Sequence, residues 1–264
     1  MPAIEKAVIG NFCWVEANLQ NPQKGKGFYG ELFGWKSEDT KLPVGDYTLM
    51  KIGNATVAGL LELPPNARKN GAPPHWLSYV AVEDAAAATA KALKLGAKVL
   101  MLATDVGPGK MAVIADPTGA VFALWQSVES AGTFDVWREP NSMSWLELTT
   151  TDPAAATKFY VEMFGWRSEA APMGDFVYTL LYNGKEQIAG LMPQPKPMVV
   201  AKAPSLWTVY FEVLDCDATA SKAKKLGGDI VMPPTDIPNV GRFAILKDLD
   251  GAAFAIIKNT PKSQ

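Results

Sequence analysis

The sequence predicts an α+β protein built from four β-α-β-β-β modules in tandem. Three observations carry that prediction. The chain repeats itself at an offset of 131 positions that slips by one residue only before Asp116 and Asp248: Trp14-Val15-Glu16 answers Trp145-Leu146-Glu147, Phe33-Gly34-Trp35 answers Phe164-Gly165-Trp166, Tyr47-Thr48-Leu49 answers Tyr178-Thr179-Leu180, and Ala58-Gly59-Leu60 answers Ala189-Gly190-Leu191. One offset held over so many matches marks a duplicated unit. Within each half, an alternating strand followed by a capped helix occurs twice. A length of 264 residues fits two units, each large enough for its own core.

The elements follow in order. Residues 11–18 alternate as a strand does. Asn21-Pro22 supplies an N-cap and a proline at the first helical position. Phe28, Tyr29, Leu32 and Phe33 then form one helical face, although Gly25, Gly27 and Gly30 weaken the helix and lack the context of a phosphate-binding loop. Segments 45–52 and 55–63 read as a hairpin turning at Gly53-Asn54. A new strand runs from His75 to Val82, Asp84 caps the helix former AAAATAKALKL, and Gly96 ends it. Strands near 97–102, 109–115 and 119–127 close the half, the last after the turn Asp116-Pro117-Thr118-Gly119.

The second half repeats the plan with caps at Asp152 and Asp215, a stop at Gly227 and a turn at Asp248-Leu249-Asp250-Gly251. Domains 1–130 and 131–264 are expected, with modules near 11–63, 75–127, 143–192 and 205–258. Segments 64–74, 193–204 and 128–141 read as connections.

Composition narrows the function classes. Apolar content of 48%, charge of 20% and a net charge of −2 describe a soluble globule with no basic block for nucleic acid or anionic membrane. No apolar run approaches the roughly 20 residues of a membrane span. The opening MPAIEKAVIG has no signal-peptide pattern. Cys13 and Cys216 do not correspond under the repeat and read as reduced core residues, which points to the cytoplasm. The expected partner is a small-molecule ligand, for a monomer or homodimer.

The strand–Asp-Pro–helix–Phe-Tyr–Phe-Gly-Trp run at 145–166 and its twin at 14–35 resemble the vicinal oxygen chelate superfamily. That superfamily includes glyoxalases, bleomycin-resistance proteins and extradiol dioxygenases. The runs at 76–96 and 207–227 and the Asp-Pro-Thr-Gly and Asp-Leu-Asp-Gly turns extend the resemblance over nearly the whole chain. It implies that modules pair into two glyoxalase-like domains, each a curved mixed sheet around a cavity with helices outside. Function is left open, because such proteins isomerise, cleave, oxygenate or only bind.

The family's enzymes hold a divalent metal with His, Gln or Glu on the first and closing strands. The matching positions here are Trp14, Leu77, Trp145, Thr208, Ala123 and Ala255, and the chain contains one histidine. A site of two imidazoles and a carboxylate cannot be assembled from one chain of this composition. No metal or other cofactor is therefore expected.

Strand alternation turns other side chains into the cavities. Trp14, Glu16, Tyr47, His75, Tyr79 and Trp125 converge in the first half, and Trp145, Glu147, Tyr178 and Tyr210 in the second. Such aromatic walls either fill the barrel or receive a planar ligand. Glu16 and Glu147 form either structural ion pairs, with Lys110 and Arg242 as the expected partners, or ligand anchors and general bases. His75 reads as a strand-mouth residue. The expected function is binding of a small, partly aromatic or apolar metabolite without metal. The alternatives are a lyase or isomerase acting on a small carbonyl compound with Glu16 or Glu147 as base, and sequestration of a toxic compound.

Overall fold

The four caps form where the sequence puts them. The Asn21 side chain accepts the Lys24 N–H at 3.1 Å, Asp84 that of Ala87 at 2.8 Å, Asp152 that of Ala155 at 3.0 Å and Asp215 that of Ala218 at 2.9 Å. Each bond satisfies one of the donors that a helix start leaves open. The structure is a computed structural model that describes residues 7–128 and 133–260.

The first half runs β1 (Phe12–Leu19), α1 (Pro22–Phe33), β2 (Lys36–Leu42), β3 (Gly45–Ile52), β4 (Ala55–Glu62), α2 (Pro65–Lys69), β5 (His75–Ala81), α3 (Ala85–Lys94), β6 (Lys98–Asp105), β7 (Gly109–Ala115) and β8 (Val121–Ser127). The second half repeats it as β9 (Met143–Thr150), α4 (Pro153–Phe164), β10 (Arg167–Met173), β11 (Phe176–Asn183), β12 (Glu186–Pro193), α5 (Lys196–Val200), β13 (Leu206–Glu212), α6 (Cys216–Lys225), β14 (Asp229–Ile237), β15 (Gly241–Lys247) and β16 (Ala253–Asn259). Two elements per half have no apolar rhythm to announce them. The short helices α2 and α5 lie in the expected connections, and the first-module edge strands β2 and β10 read KSEDTKL and RSEAAPM. Charged and proline-bearing edges of this kind resist pairing with another chain.

Each half is one curled eight-stranded sheet, ordered β2-β3-β4-β1-β5-β8-β7-β6 and β10-β11-β12-β9-β13-β16-β15-β14. The first strands of paired modules run antiparallel at the centre, β1 with β5 and β9 with β13. Parallel neighbours flank them, β4 and β8 in one sheet, β12 and β16 in the other. A one-residue irregularity falls at Cys13 in β1 and at Ser144 in β9, immediately before each cavity tryptophan.

One apolar cluster spans both halves, because the four longer helices α1, α3, α4 and α6 lie between the sheets and pack crosswise. Phe33 of α1 sits 5.2 Å from Phe211 of β13, Phe122 of β8 sits 5.6 Å from Tyr160 of α4, and Phe12 sits 5.0 Å from Trp207. The polar groups in this layer are paired crosswise too. Tyr29 donates to Asp248 at 2.8 Å and Tyr160 to Asp116 at 3.0 Å. Each tyrosine oxygen in turn accepts an indole N–H, from Trp76 and Trp207 respectively. Asp116 and Asp248 thus form their turns, as expected, and also fasten the opposite half. Among the described residues no helix is long and apolar enough to cross a membrane.

Candidate functional site

On the concave face of each sheet a carboxylate sits among tyrosines. Glu16 accepts the Tyr47 hydroxyl at 2.8 Å and the Tyr79 hydroxyl at 2.5 Å, with Asn18 Nδ2 at 3.5 Å as a third, weaker donor. Trp14 Nε1 donates to the Tyr47 oxygen at 2.8 Å. The second half repeats the arrangement: Tyr178 and Tyr210 donate to Glu147 at 2.9 and 2.8 Å, and Trp145 Nε1 donates to the Tyr178 oxygen at 3.0 Å. A hydroxyl that accepts while it donates is polarised in the direction of its donation, so each chain of bonds reinforces itself.

Backbone placement explains why these residue types are needed. Trp14 and Glu16 alternate onto one face of β1, and β5 brings Tyr79 opposite Trp14. Tyr47 reaches Glu16 from β3 by crossing β4 at Gly59, where a Cβ would collide with its hydroxyl. Gly190 gives Tyr178 the same passage. Both glycines were visible in the repeated Ala-Gly-Leu triplets, and their role is close approach.

Burial dominates the electrostatics. It pushes both glutamate carboxyls above the usual carboxylate range, and the tyrosine hydrogen bonds only partly offset it. Burial, followed by the adjacent carboxylate, holds Tyr47, Tyr79, Tyr178 and Tyr210 well above the ordinary phenol range, so all four remain donors.

The cationic partners expected from the sequence are corrected. Arg242 pairs with Asp217 at 2.6 Å and Asp236 at 3.0 Å on the exterior, and Lys110 is exposed beside Gln126 in the ladder. A tyrosine hydroxyl satisfies a buried carboxylate without carrying a second charge out of water, which is the less costly solution. His75 lies at the end of the ladder opposite Asn18, with Nδ1 2.8 Å from the Pro73 carbonyl, and burial lowers its pKa. It stands outside the tyrosine–glutamate group. Trp125 packs edge-on against Tyr79 at 6.1 Å.

The connection between the halves supplies a residue that sequence reasoning missed. Phe134 is buried with its ring 5.8 Å from Trp14. Its N–H donates to the Cys13 carbonyl at 2.9 Å, and the Asp135 side chain accepts the Thr56 N–H at 2.7 Å. The segment lacks periodicity, so only its two aromatics, Phe134 and Trp137, could have signalled packing.

The donor set of either concave face does not fit a divalent metal. The positions that carry ligands in the resembled family hold Trp14, Leu77, Ala123, Trp145, Thr208 and Ala255. Each single carboxylate is engaged by phenols, and among the described residues no three His, Cys, Asp or Glu side chains gather.

Comparison with known proteins agrees with this architecture. Residues 142–256 match the family model described as Glyoxalase/Bleomycin resistance protein/Dioxygenase superfamily, and residues 14–125 match a Glyoxalase-like domain. The chain is 38% identical over 266 aligned positions to "Putative glyoxylase CFP32" of Mycobacterium tuberculosis, covering 99% of this chain and all of that one. It is 33% identical to "Anthracycline biosynthesis protein DnrV" of Streptomyces peucetius, covering 93% and 92%. Among solved structures, the Mn(II)-bound glyoxalase from Novosphingobium aromaticivorans superposes with a TM-score of 0.64 at 18% identity, covering 95% of this chain and 82% of that one. An extradiol ring-cleaving dioxygenase from B. fuscum gives 0.63 at 16% identity, covering 100% and 76%. The chain belongs to the glyoxalase/bleomycin resistance protein/dioxygenase superfamily, as two glyoxalase-like domains in tandem.

Proposed function

We propose that this protein binds a small, partly aromatic or apolar metabolite on the concave face of a curled sheet, without a metal. One observation carries the reading. The place where a metal-dependent relative needs several ligands is built here as a hydrogen-bonded Trp–Tyr–Glu–Tyr group, present in both halves. Two aromatic planes beside an acceptor suit a ring with a polar edge, and the surrounding wall is apolar. Native mass spectrometry of protein purified without denaturation, with elemental analysis of the same sample, tests this. A retained organic mass and substoichiometric metal are expected. Stoichiometric manganese, zinc, nickel or iron overturns the metal-free reading.

A second reading is favoured by the raised carboxyl of half-buried Glu147, a property suited to proton transfer. In it the protein is a lyase or isomerase of a small carbonyl compound, with Glu147 taking a proton from the carbon next to the carbonyl. Deuterium incorporation at that carbon, followed by NMR in D2O with small 2-oxoaldehydes and hydroxyketones, separates the two. Exchange abolished by Glu147→Gln establishes the enzyme, and no exchange above a protein-free control excludes it for those substrates.

A further inference from the structure

Resting on the binding reading above, we propose that ligand is taken only by the second half, at Glu147 and Trp145. We further propose that it presents an O–H or N–H donor beside a flat apolar face. Four differences between equivalent positions support this. Trp14 and Glu16 are 4% and 5% exposed, whereas Trp145 and Glu147 are only half-buried. Phe134 lies against Trp14 as a built-in aromatic occupant.

The ends of the two sheets differ as well. Pro43, in the β2–β3 turn, reaches Gly107 in the β6–β7 loop, where a Cβ would come within 3.0 Å of it, so the two ends of the sheet meet. The second-half counterpart of Pro43 is Gly174, whose Cβ direction points into open space. Finally, Trp125 packs against Tyr79 in the first half, where the second half has the smaller Ile257 near Tyr210.

Hydrogen-bond supply gives the chemical class. A carboxylate offers about four acceptor positions. Glu16 meets three donors, but its Asn18 is replaced by Thr149 beside Glu147, which meets two. Glu147, less buried as a residue than Glu16, thus retains acceptor capacity that its two phenol donors do not fill. Arg242, the cationic side chain considered for this face, is held by Asp217 and Asp236 on the exterior, so an anionic group would meet a carboxylate without compensation from it. The partly exposed Trp145 indole supplies the plane against which the ligand's apolar face would lie.

Isothermal titration calorimetry on the full chain tests this with phenol as a neutral donor, benzylamine as a cationic donor and benzoate as an anion. Phenol or benzylamine should saturate at one equivalent, and benzoate should bind more weakly than either. Glu147→Gln should weaken binding by about tenfold or more, the scale of a hydrogen bond to a charged group. Glu16→Gln should change it by less than about twofold, within the same scale. Trp145→Phe keeps a ring and the fold, checked by circular dichroism, and should weaken binding measurably. Saturation at two equivalents, or loss confined to Glu16→Gln, overturns the assignment to the second half while leaving the binding reading intact. Benzoate binding as tight as phenol, or no probe binding at millimolar concentration, overturns the donor class. The retained mass measured separately then decides the binding reading.

Discussion

The two concave faces hold the same four residues, Trp, Tyr, Glu and Tyr, in the same hydrogen-bonded order, yet the first is the more deeply buried. Phe134 lies against Trp14, and Pro43 meets Gly107 between the ends of the same sheet, whereas Trp145 and Glu147 keep partial access to solvent. A duplicated polar motif can therefore serve the fold in one copy and remain available in the other. What distinguishes them is the packing above the motif and not the motif itself.

The largest test of that difference is truncation of the two tryptophans. Trp14→Ala removes a buried ring and should cost about 3–5 kcal/mol in chemical denaturation. Trp145→Ala should cost less, on the order of 1–2 kcal/mol, because a partly exposed ring forfeits less buried area. Equal losses would erase the distinction between a filled and an open face.

Next in size are the glycines. Gly59→Ala and Gly190→Ala each drive a Cβ into a tyrosine hydroxyl, displacing Tyr47 or Tyr178 from its carboxylate. Each should destabilise by about 1–3 kcal/mol, the penalty of leaving a buried polar group short of a partner. A larger loss at Gly59 would match the deeper burial of Glu16.

The carboxyls also predict a pH dependence. Both are raised in the folded chain, so the folded state holds the proton more tightly than the unfolded chain does. This contribution is present in full below the ordinary glutamate range and is lost as pH rises through that range to the raised folded values. Relative to the parent protein, Glu16→Gln and Glu147→Gln should each flatten the decline of stability between about pH 4 and neutrality. Denaturant midpoints across that range check it, and an unchanged slope in both would place the carboxyls in solvent.

The smallest effects belong to the charges once expected to neutralise the glutamates. Lys110→Ala and Arg242→Ala should each shift stability by no more than about 1 kcal/mol, as exposed charges and surface ion pairs do. Neither should alter the titration of Glu16 or Glu147. A shift in either titration would restore the ion-pair model.

Much of this was legible in the chain. The caps at Asp84, Asp152 and Asp215, the turns at Asp116 and Asp248, and the alternation that turns Trp14, Glu16, Trp145 and Glu147 inward are local rules, and local rules survive folding. β2 and β10 were implied by the module plan but not located, because polar edge strands carry no alternation. The partners of Glu16 were misjudged for a different reason. Coulomb attraction suggested Lys110, whereas desolvation favours neutral phenols, and only the passage over Gly59 shows that Tyr47 can arrive. Phe134 was hidden because an aperiodic connection does not disclose what it packs against.

The crosswise bonds of Tyr29 to Asp248 and Tyr160 to Asp116 bear on ancestry and on handling of the protein. Residue i of one half meets j of the other while j of the first meets i of the second, the reciprocity of an isologous two-fold interface. A single half could satisfy these bonds only by associating with a copy of itself, and its assembly would then depend on concentration. Joining two copies in one polypeptide makes the same interface intramolecular, leaving each copy's concave face free to diverge without losing the contact that holds the pair together.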